Sequence, residues 1–156
     1  MLICKFEDGI SASLRHVVTH AIVEMDGKLL LEKRAGDLLE TGKWTIPGGF
    51  LNRDETAKEG ILREVQEETG WQCEIIELFR INSNPHRPHE DRQNVVLEFL
   101  LKPLKQIQKH DAESSKVEWI SFDKLIPFSE FAFDIGESIK LYIEYRKKHF
   151  KLPLIY

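Results

Sequence analysis

One short run of the chain carries a cluster of carboxylates together with an arginine and two glycines. It extends from Gly49 to Trp71 and reads GFLNRDETAKEGILREVQEETGW. If the run is helical, Glu64, Glu67 and Glu68 fall within one arc of roughly 100°, because successive helical residues are about 100° apart. Carboxylate oxygens are the ligands that Mg²⁺ and Mn²⁺ prefer. The spacing therefore indicates a divalent metal site on one helix face.

Three acidic side chains on one helix face need a compensating partner. Like charges three or four residues apart destabilise a helix by about 0.2–0.5 kcal/mol per pair. A hard cation would remove this repulsion, and Mg²⁺ typically keeps several waters and binds substrate phosphates. The pattern therefore favours chemistry at phosphate. A solvated acidic helix face is the alternative interpretation of Glu-x-x-Glu-Glu when it is taken alone.

The neighbouring residues predict the helix that positions these carboxylates. Thr56 and Glu59 form a Thr-x-x-Glu capping box, so the helix begins near Ala57. Gly70 suits the left-handed residue that ends it. Ala57 and Gly60 project onto the acidic arc, and we expect no large side chain in front of the carboxylates. The adjoining apolar stripe, which would dock on a core, consists of Ile61, Leu62 and Val65.

The whole run resembles the Nudix box of nucleoside diphosphate hydrolases. That pattern asks for Gly, five residues, Glu, seven residues, Arg-Glu, an aliphatic, any residue, Glu-Glu, any residue, Gly and a bulky apolar residue. Only Trp71 departs from it, with an indole where an aliphatic is commoner, and we interpret this position as packing. The preceding stretch Trp44–Gly49 resembles the W-x-x-P-G-G lead-in of many Nudix enzymes. The box positions are held by Gly49, Glu55, Arg63, Glu64, Val65, Glu67, Glu68, Gly70 and Trp71.

The resemblance implies a reaction and a set of ligands. Nudix enzymes cleave a pyrophosphate linkage by attack of water on phosphorus, with metal neutralising the developing charge. By this resemblance Glu64, Glu67 and Glu68 are metal ligands, and Glu64 is alternatively the general base. In the family the lead-in loop also contributes a backbone carbonyl to the metal. Gly48 or Gly49 is therefore expected to be a main-chain ligand.

Three further acidic or basic residues have expected roles around the metal. Arg63 is expected to orient a helix glutamate, with Glu55 as its partner or as an outer ligand. A simple charge near the helix start is the alternative for Glu55. Glu113 lies in a stretch resembling the acidic loop before a Nudix Val-x-Trp strand, and is a candidate general base or a solvated loop carboxylate. Glu98 lies inside an apolar strand, where we favour a partly exposed strand face.

Substrate-binding candidates lie outside the box. The polar stretch 82–93 is long enough to overhang the site, and its Arg87 or Arg92 could hold a phosphate or terminal ribose. A mobile surface hairpin is the alternative. Arg34 is placed like Nudix arginines that contact phosphate or base, although a surface cation would look the same. Pro85 follows the box at nearly the same spacing as a proline that some Nudix enzymes acting on ADP-ribose carry, which is a weak resemblance. Aromatic residues before the last helix could stack on a base, but core packing is favoured for Phe128, Phe131 and Phe133.

Composition limits the possible partners. The chain has 156 residues, 42% hydrophobic and 31% charged, with a net charge of −4. This balance gives no basic field for a long nucleic acid, whereas a small nucleotide substrate remains compatible because a bound metal reverses the local sign. Cys4 and Cys73 are too few for a disulfide framework or a zinc site. The absence of a signal-like or membrane-spanning stretch favours a cytoplasmic protein.

The pattern of apolar residues predicts one α/β domain over residues 1–156. The Nudix resemblance implies an α/β/α sandwich with a mixed β-sheet between helices, and because the family is often dimeric, it is also compatible with a homodimer. A hairpin turn is predicted at Asp26-Gly27. The predicted strands are Ile3–Phe6, His16–Glu24, Lys28–Lys33, Trp44–Ile46, Cys73–Ile81, Asn94–Leu101 and Val117–Ile120; the predicted helices are Ala57–Thr69, a turn at Asp123–Leu125, and Ile135–His149.

The sequence thus predicts a Mg²⁺-dependent hydrolase, with Mn²⁺ as an alternative cofactor. Its expected substrate is a nucleoside diphosphate linked to another moiety, with ADP-ribose or a nucleotide sugar favoured. A nucleoside triphosphate, including an oxidised one, is the alternative substrate. From other classes, a nucleotide-sensing module without turnover would be expected to lack box glutamates, and none is missing here. An adaptor that uses the helix Ile135–His149 is a third interpretation.

Overall fold

A computed structural model describes residues 2–89, 92–109 and 114–156 of the chain. Two α-helices and several strands alternate along it, and two short 3₁₀ turns, Phe122–Lys124 and Phe128–Glu130, precede the second helix. The strands are β1 (Leu2–Lys5), β2 (Ser11–Leu14), β3 (Val17–Met25), β4 (Lys28–Arg34), β5 (Trp44–Thr45), β6 (Gly48–Phe50), β7 (Trp71–Asn82), β8 (Val95–Gln106), β9 (Ser114–Ser121) and β10 (Leu154–Ile155); the helices are α1 (Ala57–Thr69) and α2 (Ile135–Lys147).

The main sheet is mixed, as predicted. Its strand order is β10-β7-β8-β3-β4-β5, with β6 paired to β3 and β9 paired to β4. The β3–β8 and β10–β7 pairs are parallel, whereas β7–β8, β3–β4, β3–β6 and β4–β9 are antiparallel. Strands β1 and β2 form a separate antiparallel ribbon. No helix in the described ranges combines the length and the hydropathy needed to cross a bilayer.

A helix covers each face of this sheet, because alternate residues of the central strands point to opposite sides. On β3, Ala21 and Val23 belong to one buried cluster and Ile22 belongs to the other. The first cluster includes Ile61 and Val65 of α1, and the second includes Ile135 and Ile139 of α2. Burying both faces in this way produces the predicted α/β/α sandwich.

Helix α1 begins and ends as the sequence predicts. The Thr56 side chain accepts a hydrogen bond from the Glu59 backbone, while the Glu59 side chain accepts one from the Thr56 backbone, which completes the capping box. Gly70 ends the helix with φ 76° and ψ 5°, in the left-handed region. The predicted hairpin turn is present too, since Asp26 and Gly27 both have positive φ between β3 and β4.

Some element bounds were predicted wrongly. Strands β7 and β8 extend beyond their apolar runs because backbone pairing continues through polar residues as far as Trp71 and Gln106. Helix α2 ends at Lys147 rather than His149. Strands β2, β6 and β10 were missed, since each has four residues or fewer and shows little alternation of polar and apolar side chains.

We predict that Gly70→Ala destabilises the protein more than Gly27→Ala. Both glycines have φ above 70°, which costs an alanine about 1–2 kcal/mol. At Gly27 no described atom lies within 4 Å of the added Cβ, but at Gly70 the Cβ would be 2.0 Å from the Gln108 carbonyl oxygen. Urea unfolding should therefore show a loss of about 3 kcal/mol for Gly70→Ala and about 1 kcal/mol for Gly27→Ala. Equal losses would show that the contact with Gln108 has no energetic effect.

Candidate active site

The predicted site residues line one cavity of about 520 Å³. Part of its wall comes from α1 and the loop before it, and part comes from the end of β4 and the segment between β7 and β8. Glu113, the candidate general base, lies outside the described residues. The predicted residues that line the cavity are Arg34, Gly48, Gly49, Arg63, Glu64, Glu67, Glu68, Arg87 and Arg92.

The three carboxylates on the acidic face of α1 differ in their exposure to solvent. Glu68 is only 6% exposed, and its carboxylate accepts a hydrogen bond of 2.7 Å from the Gly48 backbone N–H. The Glu64 side chain is 14% exposed and that of Glu67 is 52% exposed. Gly60 is buried, and a Cβ there would lie 3.0 Å from both Leu51 and Glu55.

Arg63 connects three carboxylates, as its predicted orienting role requires. Its Nε and Nη2 donate to the two carboxylate oxygens of Glu55 at 3.0 and 2.7 Å. Its Nη1 lies 2.8 Å from Glu64 Oε1 and 3.0 Å from Glu67 Oε2, and Nη2 also reaches the Phe50 carbonyl. Hydrogen bonds from Arg63 and from the Asn52 backbone lower the pKa of Glu55 to about 2. The predicted Arg63–Glu55 pair is therefore confirmed.

The donor chemistry of the α1 face fits a hard divalent cation, because Glu64, Glu67 and Glu68 supply only carboxylate oxygens. Gly49 brings the loop backbone against this face, since a Cβ there would lie 2.6 Å from the Glu64 carboxyl carbon. Within the described ranges, no three His, Cys, Asp or Glu side chains converge closely enough to hold a metal ion. Binding a cation would require the carboxylates to exchange contacts with Arg63 and Gly48 for the metal.

The three arginines predicted to bind substrate are held in different ways. Arg34 Nε donates to the Leu39 carbonyl at 2.8 Å, and its guanidinium lies 5.3 Å from the centre of the Phe133 ring. Arg92 lies 5.7 Å from the ring centre of Phe50. The Arg87 side chain is 4% exposed and is paired with a carboxylate. The interpretation of the Arg87 position as a mobile surface hairpin is therefore wrong.

The structure corrects two other sequence interpretations. Phe131 is buried as expected, but Phe128 is 39% exposed and Phe133, with a positive φ of 48°, lines the cavity, so core packing is wrong for these two residues. Glu98 does not lie on a partly exposed strand face. It is 1% exposed and bonded to Arg80 and Ser138, because strand pairing sets Arg80 beside Glu98 and α2 covers them.

Sequence reasoning missed several residues of the cavity wall. Among them is His20, whose pKa is lowered by burial and then by the nearby Arg87 guanidinium, so that its imidazole is neutral at physiological pH. The polar Thr19-His20 pair inside an otherwise apolar strand was the signal that could have indicated it. The other missed residues with polar or aromatic side chains are Glu32, Asp37, Phe50, Asn52 and Asn94.

We predict that Glu55→Gln narrows the difference in stability between neutral and acidic pH. The pKa of Glu55 is lowered from 4.5 to about 2 in the folded protein, so its stabilising contribution is complete above 4.5 and declines as pH falls toward 2. At pH 7 the variant should lose about 1–2 kcal/mol of unfolding free energy, and this loss should shrink at pH 3.

Urea unfolding of both proteins at the two pH values measures this difference. Asp54→Asn is a matched control, because it removes a carboxylate that is 92% exposed. A deficit in Glu55→Gln that stays constant between pH 7 and pH 3 would contradict the ionic origin of the contact.

Comparison with known proteins identifies a family. The model of the NUDIX domain matches residues 14–142. A MutT-like protein of Streptomyces ambofaciens is 37% identical over 108 residues, which is 69% of this chain and 64% of that protein, so the match spans less than two thirds of the relative. An ADP-ribose pyrophosphatase of Methanocaldococcus jannaschii is 30% identical over 131 residues, or 83% of this chain and 74% of that protein.

Solved structures give the same result for the fold. The crystal structure of a NUDIX hydrolase from Nitrosomonas europaea has a TM-score of 0.78 and 28% identity, and the comparison covers 99% of this chain and 90% of that one. An ADP-ribose pyrophosphatase from Streptococcus suis has a TM-score of 0.72 and 22% identity over 92% of this chain and all of that one, which supports the fold alone. The family match over most of the chain, together with the box on α1, shows that this protein belongs to the Nudix family.

Proposed function

We propose that this protein is a divalent-metal-dependent hydrolase that cleaves the pyrophosphate bond of a nucleoside diphosphate linked to another moiety. The observation that carries the proposal is that the α1 glutamates line one cavity together with Arg34, Arg87 and Arg92. Carboxylates suit a hard cation, and guanidinium groups suit the oxygens of a diphosphate. A cavity of about 520 Å³ is also of ordinary size for a small-molecule site.

The residues of the box would have different roles in hydrolysis. A divalent cation held by Glu64, Glu67 and Glu68, with a carbonyl from Gly48 or Gly49, would neutralise charge on the phosphates and activate water. Arg63 contacts Glu64 and Glu67, and these carboxylates would turn from Arg63 toward the cation when the metal binds. We propose Mg²⁺ as this cation, with Mn²⁺ as an alternative. Glu64 or Glu113 would serve as the general base.

The arginines would bind the substrate beyond the metal. Arg34, Arg87 and Arg92 come from separate parts of the chain and line the same cavity. We propose that they contact the second phosphate, the terminal sugar or the base, since their planar guanidinium groups can hold oxygens by paired hydrogen bonds or stack on rings. ADP-ribose or a nucleotide sugar is the favoured substrate. The Methanocaldococcus relative named an ADP-ribose pyrophosphatase supports this choice.

A nucleoside triphosphate is the second candidate substrate. A protein of Escherichia coli named CTP pyrophosphohydrolase is 37% identical over 60 residues, which covers 38% of this chain. The two candidates give different products. Cleavage of ADP-ribose would release AMP and a sugar phosphate, whereas cleavage of CTP would release CMP and pyrophosphate.

We predict that ADP-ribose or UDP-glucose is hydrolysed with Mg²⁺ faster than CTP or an oxidised purine triphosphate. The measurement is a substrate panel in which the released phosphate species are separated and identified. Release of pyrophosphate from the triphosphates alone would transfer the proposal to the second candidate. Absence of turnover with every substrate and with both Mg²⁺ and Mn²⁺ would instead favour a sensing module or an adaptor.

We also predict that Glu67→Gln and Glu68→Gln each lower metal-dependent turnover at least about a hundredfold while the fold survives, because each removes a charge needed by the cation. Glu74→Gln is the matched control, since Glu74 pairs with Lys102 at the surface and does not line the cavity. Circular dichroism should show the same helix content in all three variants. Undiminished activity in both box variants would refute the metal-site assignment.

A further inference from the structure

Arg87 and Asp134 form a buried ion pair at the edge of the cavity. The Arg87 Nε and Nη2 lie 2.9 and 2.8 Å from the same oxygen, Asp134 Oδ1. Both side chains are almost fully buried, and Arg87 lines the cavity. The two residues are 47 positions apart in the chain. The position of the Arg87 guanidinium in the cavity wall therefore depends on the Asp134 carboxylate, which lies at the start of α2.

Both oxygens of Asp134 are used by neighbouring donors. Its Oδ2 accepts hydrogen bonds from Arg80 Nη2 at 3.0 Å and from Asn82 Nδ2 at 2.7 Å, both on β7. Burial alone would raise the pKa of Asp134, but pairing with Arg87 outweighs burial and keeps the pKa below its usual value. Asp134 therefore stays ionised at neutral pH and is fully engaged by protein donors.

The Asp134 side chain does not cap α2, although its position at the start of the helix would usually give it that role. It stands at the N-cap of α2, where an aspartate side chain normally accepts a hydrogen bond from the first turn of the helix. Among the described residues, its side chain makes no such capping bond. The carboxylate is directed to Arg87 and β7 instead, so contact with these groups takes precedence over helix capping.

A gain in the free energy of unfolding does not explain the buried charges around Asp134. Arg80 and Arg87 place two cations in the protein interior, beside the ionised Asp134 and beside Glu98, whose pKa is raised by burial. Burying such charges costs several kcal/mol per ion, and apolar residues of similar volume often stabilise a protein as well or better. A role in placing Arg87 accounts for the network where stability does not.

The backbone around Arg87 is fastened as well. Arg15 donates through Nη2 to the Ser83 carbonyl at 2.7 Å and through Nε to the Gln93 carbonyl, so one guanidinium joins the two ends of the segment between β7 and β8. With its segment tied at both ends and its side chain tied to Asp134, Arg87 is pre-organised. Pre-organised cations bind substrate oxygens without the cost of ordering the side chain.

We propose that Asp134 is a positioning residue, which holds the Arg87 guanidinium at the cavity wall so that Arg87 binds an anionic oxygen of the nucleotide substrate. The inference rests on the proposed hydrolase function and extends it to residues outside the Nudix box. It assigns Asp134 to the support of substrate binding, with no part in metal binding or proton transfer. Loss of Asp134 should therefore weaken substrate binding while the chemical step is preserved.

Steady-state kinetics of Asp134→Asn test the proposal, with ADP-ribose, UDP-glucose and CTP as substrates and Mg²⁺ as the metal. An asparagine offers one oxygen to donors that now share two, so Arg87 loses its fixed orientation. We expect KM to rise on the order of tenfold and kcat to change less than about threefold, the pattern of lost uniform binding. Arg87→Lys, which keeps the charge but loses the paired contact, should give the same shift.

Ser138→Ala is the matched control. Ser138 is buried in α2 and its hydroxyl donates to Glu98 at 2.7 Å, so its side chain belongs to the same buried network. Its contact with Asp134 runs from backbone N–H to backbone carbonyl and is kept by an alanine. We expect it to lower the melting temperature and leave KM unchanged. A purely structural role of the network would make Ser138→Ala and Asp134→Asn raise KM alike, and would overturn the proposal.

A double-mutant cycle separates positioning from independent effects. If Asp134 acts through Arg87, adding Asp134→Asn to Arg87→Gln should cause no further rise in KM. Additive effects, or an unchanged KM in folded Asp134→Asn, would overturn the inference. If Asp134→Asn does not fold, an unchanged KM in Arg87→Lys would overturn the inference in its place.

Glu68→Gln, measured in parallel, distinguishes the two proposals. Loss of turnover in Glu68→Gln with an unchanged KM in Asp134→Asn would refute the positioning role and leave the hydrolase proposal intact. A wild-type protein that hydrolyses none of the three substrates would overturn both proposals.

Discussion

The contact between Arg63 and the carboxylates around it is the interaction on which the site depends. One guanidinium holds Glu55 through two hydrogen bonds and also contacts Glu64 and Glu67. This joins the segment before α1 to the helix and offsets repulsion between glutamates that share one face. Without this cation, Glu64 and Glu67 would repel each other across one turn of the helix.

The glycines around α1 let its neighbours approach closely enough for these contacts. A Cβ at Gly49 would lie 2.6 Å from the Glu64 carboxyl carbon. A Cβ at Gly60 would lie 3.0 Å from both Leu51 and Glu55. Gly48 adopts a φ of 152° and donates its backbone N–H to Glu68. The box is therefore a packing pattern as well as a set of ligands, because its spacing decides which backbone can lie against which carboxylate.

The parts of the site that are local in sequence could be predicted, and those that depend on distant contacts could not. Helix α1 has its cap, its apolar stripe and its terminal glycine within fifteen residues, so the local pattern predicted its bounds. The family resemblance indicated the Arg63–Glu55 pair. Arg87 was recognised as a candidate, but its partner Asp134 is 47 residues away and no periodicity connects them. Glu98 was misjudged for the same reason, since Arg80 reaches it through strand pairing. Glu113 stays a prediction because it lies outside the described residues.

The central claim is that the acidic face of α1 binds a divalent cation. Its most direct test is a titration with Mn²⁺ in which the electron paramagnetic resonance signal of the free ion is followed, comparing the wild-type protein with the Glu64→Gln/Glu68→Gln double variant. We expect saturable depletion of free Mn²⁺ by the wild-type protein and at least about a tenfold weaker affinity in the double variant. Equal binding by the two proteins would contradict the account.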